Sequence, residues 1–157
     1  MRIFTVHWTV NFVLGIFIDF SKAFDSVQSS ILIKKLVFYG VNGNLLNLLT
    51  SYLQNWKQYV SYGGKESDVL DLTCGVPQGS VFGPLLFIHY VNDLINVSSI
   101  AKFVLFANDC NIFIRHKDRA TAYRLTNKVE KDIQEYCKAN LLIFNIDKCL
   151  ITSKNFI

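Results

Sequence analysis

Residues 100–115 read IAKFVLFANDCNIFIR. Two apolar runs, Ile100 to Phe106 and Cys110 to Arg115, flank Ala107-Asn108-Asp109. Apolar runs of this length around a short polar segment predict two antiparallel strands and a tight hairpin, and Asn and Asp are suited to such a tip. Working back along the chain, Leu14 to Phe20 (LGIFIDF) is another apolar run that carries an acid near its end. A central strand of a sheet, buried on both faces, reads this way. Neighbouring strands lie ~4.8 Å apart. If the Leu14–Phe20 strand pairs beside the hairpin, Asp19 and the hairpin tip converge.

The remaining segments fill in around this sheet. Gln28-Ser29-Ser30 offers a cap for a short helix, Ile31 to Phe38, that ends at Gly40. Asn42 to Trp56 predicts a second helix. Its Leu45, Leu48, Leu49, Tyr52, Leu53 and Trp56 recur at three- and four-residue spacing, as a stripe packed into the core does. Gln58 to Tyr62 and Val69 to Thr73 predict two strands around Gly63-Gly64. Gly75 to Gly83 is a loop, and Pro84 suits the first turn of a helix running to about Leu94. Ala120 to Lys138 is amphipathic, with Ala122, Leu125, Val129, Ile133 and Tyr136 on one face, and Ile146 to Thr152 predicts a last strand. The order is strand, helices, strand pair, helix, hairpin, helix, strand. It predicts an α+β fold, an antiparallel sheet with helices packed mainly on one face.

Composition sets bounds on function. The 157 residues suffice for one domain with a core, and with 51% hydrophobic and 18% charged residues the chain is not a disordered one. A net charge of +4 permits nucleic-acid binding without requiring it. The four cysteines, Cys74, Cys110, Cys137 and Cys149, form no CxxC pair and no zinc spacing. Reduced thiols in an intracellular protein, of the cytoplasm or the nucleus, are expected. Residues 3–18 are mostly apolar, but the run is short for a membrane span of ~20 residues. His7 and Asn11 interrupt it, Asp19 ends it, and no small-residue cleavage site follows. A buried strand preceded by unrelated upstream sequence is expected rather than a signal or anchor.

Three segments carry chemistry. In Ile18-Asp19-Phe20-Ser21-Lys22-Ala23-Phe24-Asp25-Ser26-Val27, the acid ending a buried strand needs a compensating cation or hydrogen bonds. In Cys74-Gly75-Val76-Pro77-Gln78-Gly79-Ser80-Val81-Phe82-Gly83-Pro84-Leu85-Leu86-Phe87, glycines let backbone approach a ligand and Pro77 stiffens the loop. The helix that follows offers N-terminal amides to phosphate, and Gln78 can donate and accept hydrogen bonds. The third is Phe106-Ala107-Asn108-Asp109 itself. Each alone has a plain structural explanation: a strand cap, a Gly-rich turn before a helix, a polar turn.

In this order the three resemble motifs A, B and C of the reverse transcriptases of non-LTR retrotransposons. GVPQGSVFGPLLF is similar to motif B almost letter for letter, and Ala139-Asn140-Leu141 with Asn145 and Lys148 is similar to motif D. The resemblance covers about residues 14–152. It implies a polymerase palm-like fold and RNA-directed DNA synthesis by two-metal nucleotidyl transfer. The partners it implies are an RNA template, a DNA primer and deoxynucleotide triphosphates, with Mg²⁺ and no small-molecule cofactor or membrane. Asp19, Asn108 and Asp109 fall at the family's catalytic positions, and Asp19, Asp109 and the Phe20 carbonyl at its metal ligands. Phe24 matches the steric gate against ribonucleotides, with an ordinary core phenylalanine as the alternative. Gln78 and Gly79 match residues near the incoming nucleotide, and Lys148 the lysine proposed to assist the leaving group.

One position departs from the pattern. Where the family has FADD, Asn108 replaces the first acid, the principal metal ligand there. A neutral amide oxygen is a poor substitute for a carboxylate at a hard cation. Asp109 is expected to point to the opposite face from its neighbour and so not to compensate. Motif A begins near residue 18 and nothing follows residue 157. Fingers, thumb and endonuclease regions are therefore expected to be largely absent, as in a decayed copy or a partial gene model, and catalysis is expected to be lost. The alternative is a non-catalytic nucleic-acid-binding remnant using Arg115, Lys117, Arg119, Arg124 and Lys128, although Asp118, Glu130, Asp132 and Glu135 are interleaved with them. An unrelated RNA-binding module ranks last, because no aromatic RNP signature is present.

Overall fold

The computed structural model describes residues 12–77, 79–143 and 150–155. Gln78, Asn145, Lys148 and Cys149 lie outside the described residues, as do residues 3–11 of the apolar N-terminal run. The chain divides into two compact units.

The first unit comprises residues 1–20, 94–136 and 144–157 and is built on a four-stranded antiparallel sheet. Its strands are β1 (Phe12–Asp19), β6 (Ala101–Phe106), β7 (Asp109–His116) and β8 (Leu150–Asn155), in the order β6-β7-β1-β8. β1 therefore has a neighbour on each side, as its apolar run predicts. Its register against β7 pairs Leu14 with Ile114, Ile16 with Ile112 and Ile18 with Cys110, and all six side chains are buried. Side chains alternate across a strand, so Val13, Phe17 and Asp19 share the other face with Asp109, Asn111, Phe113 and Arg115. That face is half-open, with none of these seven residues buried. The continuous apolar run thus reflects a central strand whose second face is incompletely covered, not one buried on both sides. On this face the Phe17 and Phe113 rings meet edge to face at 5.9 Å, and Gly15 leaves room for the Phe17 ring.

Helix α4 (Arg119–Ala139) contributes its own stripe to the buried residues, with Ala122, Thr126, Val129 and Ile133 inaccessible. Thr126 meets its polar requirement by donating to the Ala122 carbonyl at 2.9 Å. Asp118 caps the helix by accepting the Thr121 N–H at 2.7 Å. Hydrogen bonds from Thr121 hold the Asp118 carboxyl below its ordinary range.

The second unit comprises residues 21–93 and 137–143. Helix α1 (Ser29–Phe38) packs against α2 (Gly43–Leu53) and α3 (Phe82–Val91). Gly40 ends α1 as expected: at φ +89° its N–H donates to the Val37 carbonyl, while the Val41 N–H reaches back to Leu36. The expected cap at the other end is absent. Gln28 occupies that position with no side-chain cap bond, and the Ser29 hydroxyl donates to the Leu53 carbonyl at the end of α2. The stripe on α2 is only half a core stripe. Leu49 and Leu53 are buried, but Leu45 is 53% and Leu48 60% exposed, and Trp56 lies beyond the helix end. Helical periodicity records that a face is apolar, and among the described residues nothing covers this half of it.

The arm between α2 and α3 is a hairpin with a nearer return than its sequence suggests. β3 (Ser61–Tyr62) pairs with β4 (Lys65–Glu66) around Gly63-Gly64, and β2 (Lys57–Gln58) pairs with β5 (Leu70–Asp71). The returning strand starts at Lys65, not Val69, because the two glycines at φ +58° and +75° close a two-residue turn. Between the ladders, Val60 and Ser67 remain joined by Val60 N–H to Ser67 Oγ and Ser67 N–H to Val60 O, each 2.9 Å.

Candidate functional site

The register places Asp19 directly opposite Asp109. The Phe20 N–H donates to the Asn108 carbonyl at 3.2 Å. That bond flanks the 19/109 pair, making it a non-hydrogen-bonded pair of the ladder, the kind in which side chains come closest, with Cα atoms ~4.5 Å apart. Asp19 and Asp109 therefore lie on the same face of the sheet, the half-open one. This corrects the expectation that hairpin alternation would turn Asp109 away. Alternation applies within strands, and Asn108 is not in one: β6 ends at Phe106 and β7 begins at Asp109, leaving Ala107-Asn108 as a two-residue turn. The left-handed residue of that turn is Ala107, at φ +51°, rather than Asn108. A non-glycine residue there carries a strain of about 1 kcal/mol.

The turn brings the Asn108 side chain back over the end of β1. Its Nδ2 donates to Asp19 Oδ1 at 2.7 Å. A carboxylate only accepts hydrogen bonds, so the NH₂ half of the amide must face it. Asp19, Asn108 and Asp109, separated by up to 90 positions in sequence, thus meet at one corner of the sheet.

Whether this corner suits a divalent metal can be judged from its donors. Among the described residues no group of three or more His, Cys, Asp and Glu is placed to hold a metal ion. The third group at the corner turns N–H hydrogens toward Asp19 at hydrogen-bond distance, where a cation needs an oxygen donor. The residues present do not fit a metal pair.

The second unit holds Phe24 and the described residues of the Gly-rich loop. Phe24 packs its ring against Phe87 at 5.1 Å and also lines a cleft of about 220 Å³ with Pro77, Gly79, Gly83 and Pro84. It is therefore a half-buried residue with one side toward the core and one toward the Gly-rich loop. The loop is fastened to the residues that follow β1: the Gly75 N–H donates to Val27 O at 2.7 Å and the Val76 N–H to Phe24 O at 2.9 Å. Gly75, at φ +98°, lies against the backbone of Asp25.

Two features here escape a reading of the sequence. Ser80 organises the start of α3, donating to Pro77 O at 2.7 Å and accepting the Gly83 N–H at 2.9 Å. Its signal was a serine three residues before a helical position, the spacing of a capping side chain. A cleft of about 610 Å³ is lined by Lys22, Asp25, Trp56, Gln58 and Cys74, among others. Its walls come from separated segments, so no local motif announces it. Further along, the buried Asn140 of the motif D resemblance accepts a hydrogen bond at its carbonyl from the Tyr90 hydroxyl at 2.6 Å. The described residues contain no helix long and apolar enough to cross a membrane.

Comparison with known proteins identifies the family. Residues 10–156 match the family described as reverse transcriptase (RNA-dependent DNA polymerase). The chain is 25% identical over 162 residues to the RNA-directed DNA polymerase from mobile element jockey of Drosophila melanogaster, covering 92% of this chain and 18% of that protein. It is 33% identical over 132 residues to the retrovirus-related Pol polyprotein from type-1 retrotransposable element R1 of Bradysia coprophila, covering 82% and 13%. The chain thus spans less than a fifth of these relatives' length. Among solved structures, telomerase from Candida tropicalis, in complex with a fragment of telomeric RNA, superposes with a TM-score of 0.70 at 13% identity, over 92% of this chain and 26% of that one. At that identity the likeness bears on the fold, which is palm-like. The chain belongs to the reverse transcriptase family, with its curated relatives among the polymerases of non-LTR retrotransposons.

Proposed function

We propose that residues 14–152 are the palm of an RNA-directed DNA polymerase and that this palm is catalytically silent as it stands. The carrying observation is the corner itself: Asp19 opposite Asp109, with the Asn108 amide donating to Asp19 at 2.7 Å. In the family's chemistry, two metals ~3.5–4 Å apart stabilise the attacking and leaving oxygens of an in-line displacement. Mg²⁺ is the ion expected for it, with Asp19, Asp109 and the Phe20 carbonyl as the positions that would face it. Asn108 removes one charged ligand and gives Asp19 a competing partner, so no catalytic step is assigned to this chain.

Other roles follow from the same reading. Phe24 faces the incoming nucleotide as a screen against its 2′-hydroxyl, and its exposed side in the cleft with Gly79 supports that placement. Gln78 and Gly79 belong beside the nucleotide and Lys148 beside its leaving group. The substrates are deoxynucleotide triphosphates, and the partners an RNA template and a DNA primer.

Primer extension by the full chain, with Mg²⁺ or Mn²⁺, tests the silence. No extension is expected, and measurable extension would overturn it. A second reading, a nucleic-acid-binding remnant, is favoured by one observation: Arg115, Lys117, Arg119, Arg124 and Lys128 are all exposed in the first unit. Binding of single strands or duplexes with a steep salt slope supports it. Salt-insensitive or absent binding excludes it.

A further inference from the structure

The end of β1 poses an electrostatic problem that the chain solves in its own way. Asp19 and Asp109 face one another as a close cross-strand pair of like charges, and such pairs destabilise a ladder unless something lies between or beside them. The family's solution is a cation. Here Asn108 is joined to the strand end twice, through its backbone carbonyl to the Phe20 N–H and through its side-chain Nδ2 to Asp19 Oδ1. The second bond is charge-assisted and short, the stronger class of hydrogen bond. It also constrains the turn, whose left-handed residue is an alanine and so carries strain of its own.

We infer that the Asn108 carboxamide has taken the structural place of a cation at this corner, so that the tip of the β6–β7 hairpin stays latched to the end of β1 without any divalent metal. The polymerase reading enters only in naming what the amide replaces. An aspartate at 108 would put a third carboxylate at the corner, within hydrogen-bond distance of Asp19. The corner would then keep its backbone bond and its ladder, but its side-chain latch would need a metal. Asparagine at 108 therefore makes the side-chain latch independent of metal.

Thermal unfolding of the full chain, in chelator and in excess Mg²⁺ or Mn²⁺, tests this. The wild-type midpoint is expected to be the same in both. Asn108→Asp is expected to melt about 5 °C lower in chelator, from loss of a charged hydrogen bond in a chain of this size, and to recover most of that loss with metal. The exchange variant Asp19→Asn/Asn108→Asp swaps donor and acceptor, and is expected to melt like wild type with no metal response. It also decides the matter should Asn108→Asp fail to fold. A wild-type midpoint that rises with metal, an Asn108→Asp midpoint equal to wild type in chelator or unmoved by metal, or an exchange variant that does not recover would each overturn the inference. Melting is independent of synthesis, so a chain that failed every polymerase assay would leave these results standing.

Discussion

Gly83→Ala sets two effects of opposite sign against each other. Gly83 is the second residue of α3, and alanine in a helix interior is more favourable than glycine by up to about 1 kcal/mol. Near a helix start the gain is smaller. Against it, a Cβ at this position would lie 2.8 Å from the Pro77 carbonyl oxygen and 3.1 Å from Ser80 Oγ. The carbonyl is backbone, held by the Ser80 hydroxyl at 2.7 Å, and cannot swing aside as a side chain would. Overpacking of this kind costs about 2 kcal/mol. The net is a destabilisation of about 1–2 kcal/mol, or a fall of roughly 3–6 °C in melting temperature. Gly15→Ala is the control. Its Cβ would meet the Phe17 ring at 2.9 Å, nearly as close, but the obstacle is the far end of a side chain on a half-open face. Its midpoint is expected to move by less than half as much. Differential scanning calorimetry of the two variants reads the contrast. A rise in the Gly83→Ala midpoint would refute the argument, because it would mean that the loop does not press on the helix start.

Other expectations follow from single contacts. Lys35 donates to Asp93 Oδ1 and to the Tyr90 carbonyl, each at 2.6 Å, and its side chain is 12% exposed against 36% for Asp93. Desolvation lowers the Lys35 pKa despite the opposing pull of Asp93. Asp93→Ala removes the countercharge of a largely desolvated ammonium, whereas Lys35→Met leaves a carboxylate that water can reach. Chemical denaturation should therefore show a loss of about 2 kcal/mol for the first and about 1 for the second, and the reverse order would contradict the assignment. Burial pushes the Cys110 thiol up to about 12, so a thiol reagent at neutral pH should label Cys74, which is partly exposed, long before Cys110 in the folded chain. Asp118 titrates below the ordinary carboxylate range, so its cap on α4 contributes fully above the unfolded-state value and is lost as pH falls through the lowered folded one. Asp118→Ala should flatten that part of the acid limb of a stability–pH curve, and an unchanged limb would count against the cap.

How far the sequence disclosed this architecture depended on the range of the forces involved. The hairpin at residues 106–109 and the strand ending at Asp19 were legible because apolar runs, turn residues and a terminal acid are local signals. Their convergence followed once the strands paired. The fate of Leu45 and Leu48 was not legible, since an apolar stripe looks the same whether or not something covers it. The side of Asp109 was misjudged because counting alternation from Asn108 assumes that Asn108 is in a strand, and whether it is depends on where β6 stops pairing. Ser29, which serves the end of α2 rather than its own helix, shows the same limit: a cap is a local pattern, but its hydroxyl answers to whichever carbonyl the tertiary fold brings near. Gln78 and Lys148 rest on motif resemblance alone, with no described geometry to set beside them.

On the proposed reading, Asn108 is what separates this corner from a working polymerase site. Residues 10–156 can replace the matching stretch of the R1 Pol polyprotein, with asparagine or aspartate at 108 and the unaltered R1 protein as the reference. Single-nucleotide primer extension should be silent with asparagine and rise on the order of 100-fold or more with aspartate, as restoring a metal ligand requires. Equal extension by the two chimeras, whether substantial or absent, would contradict it.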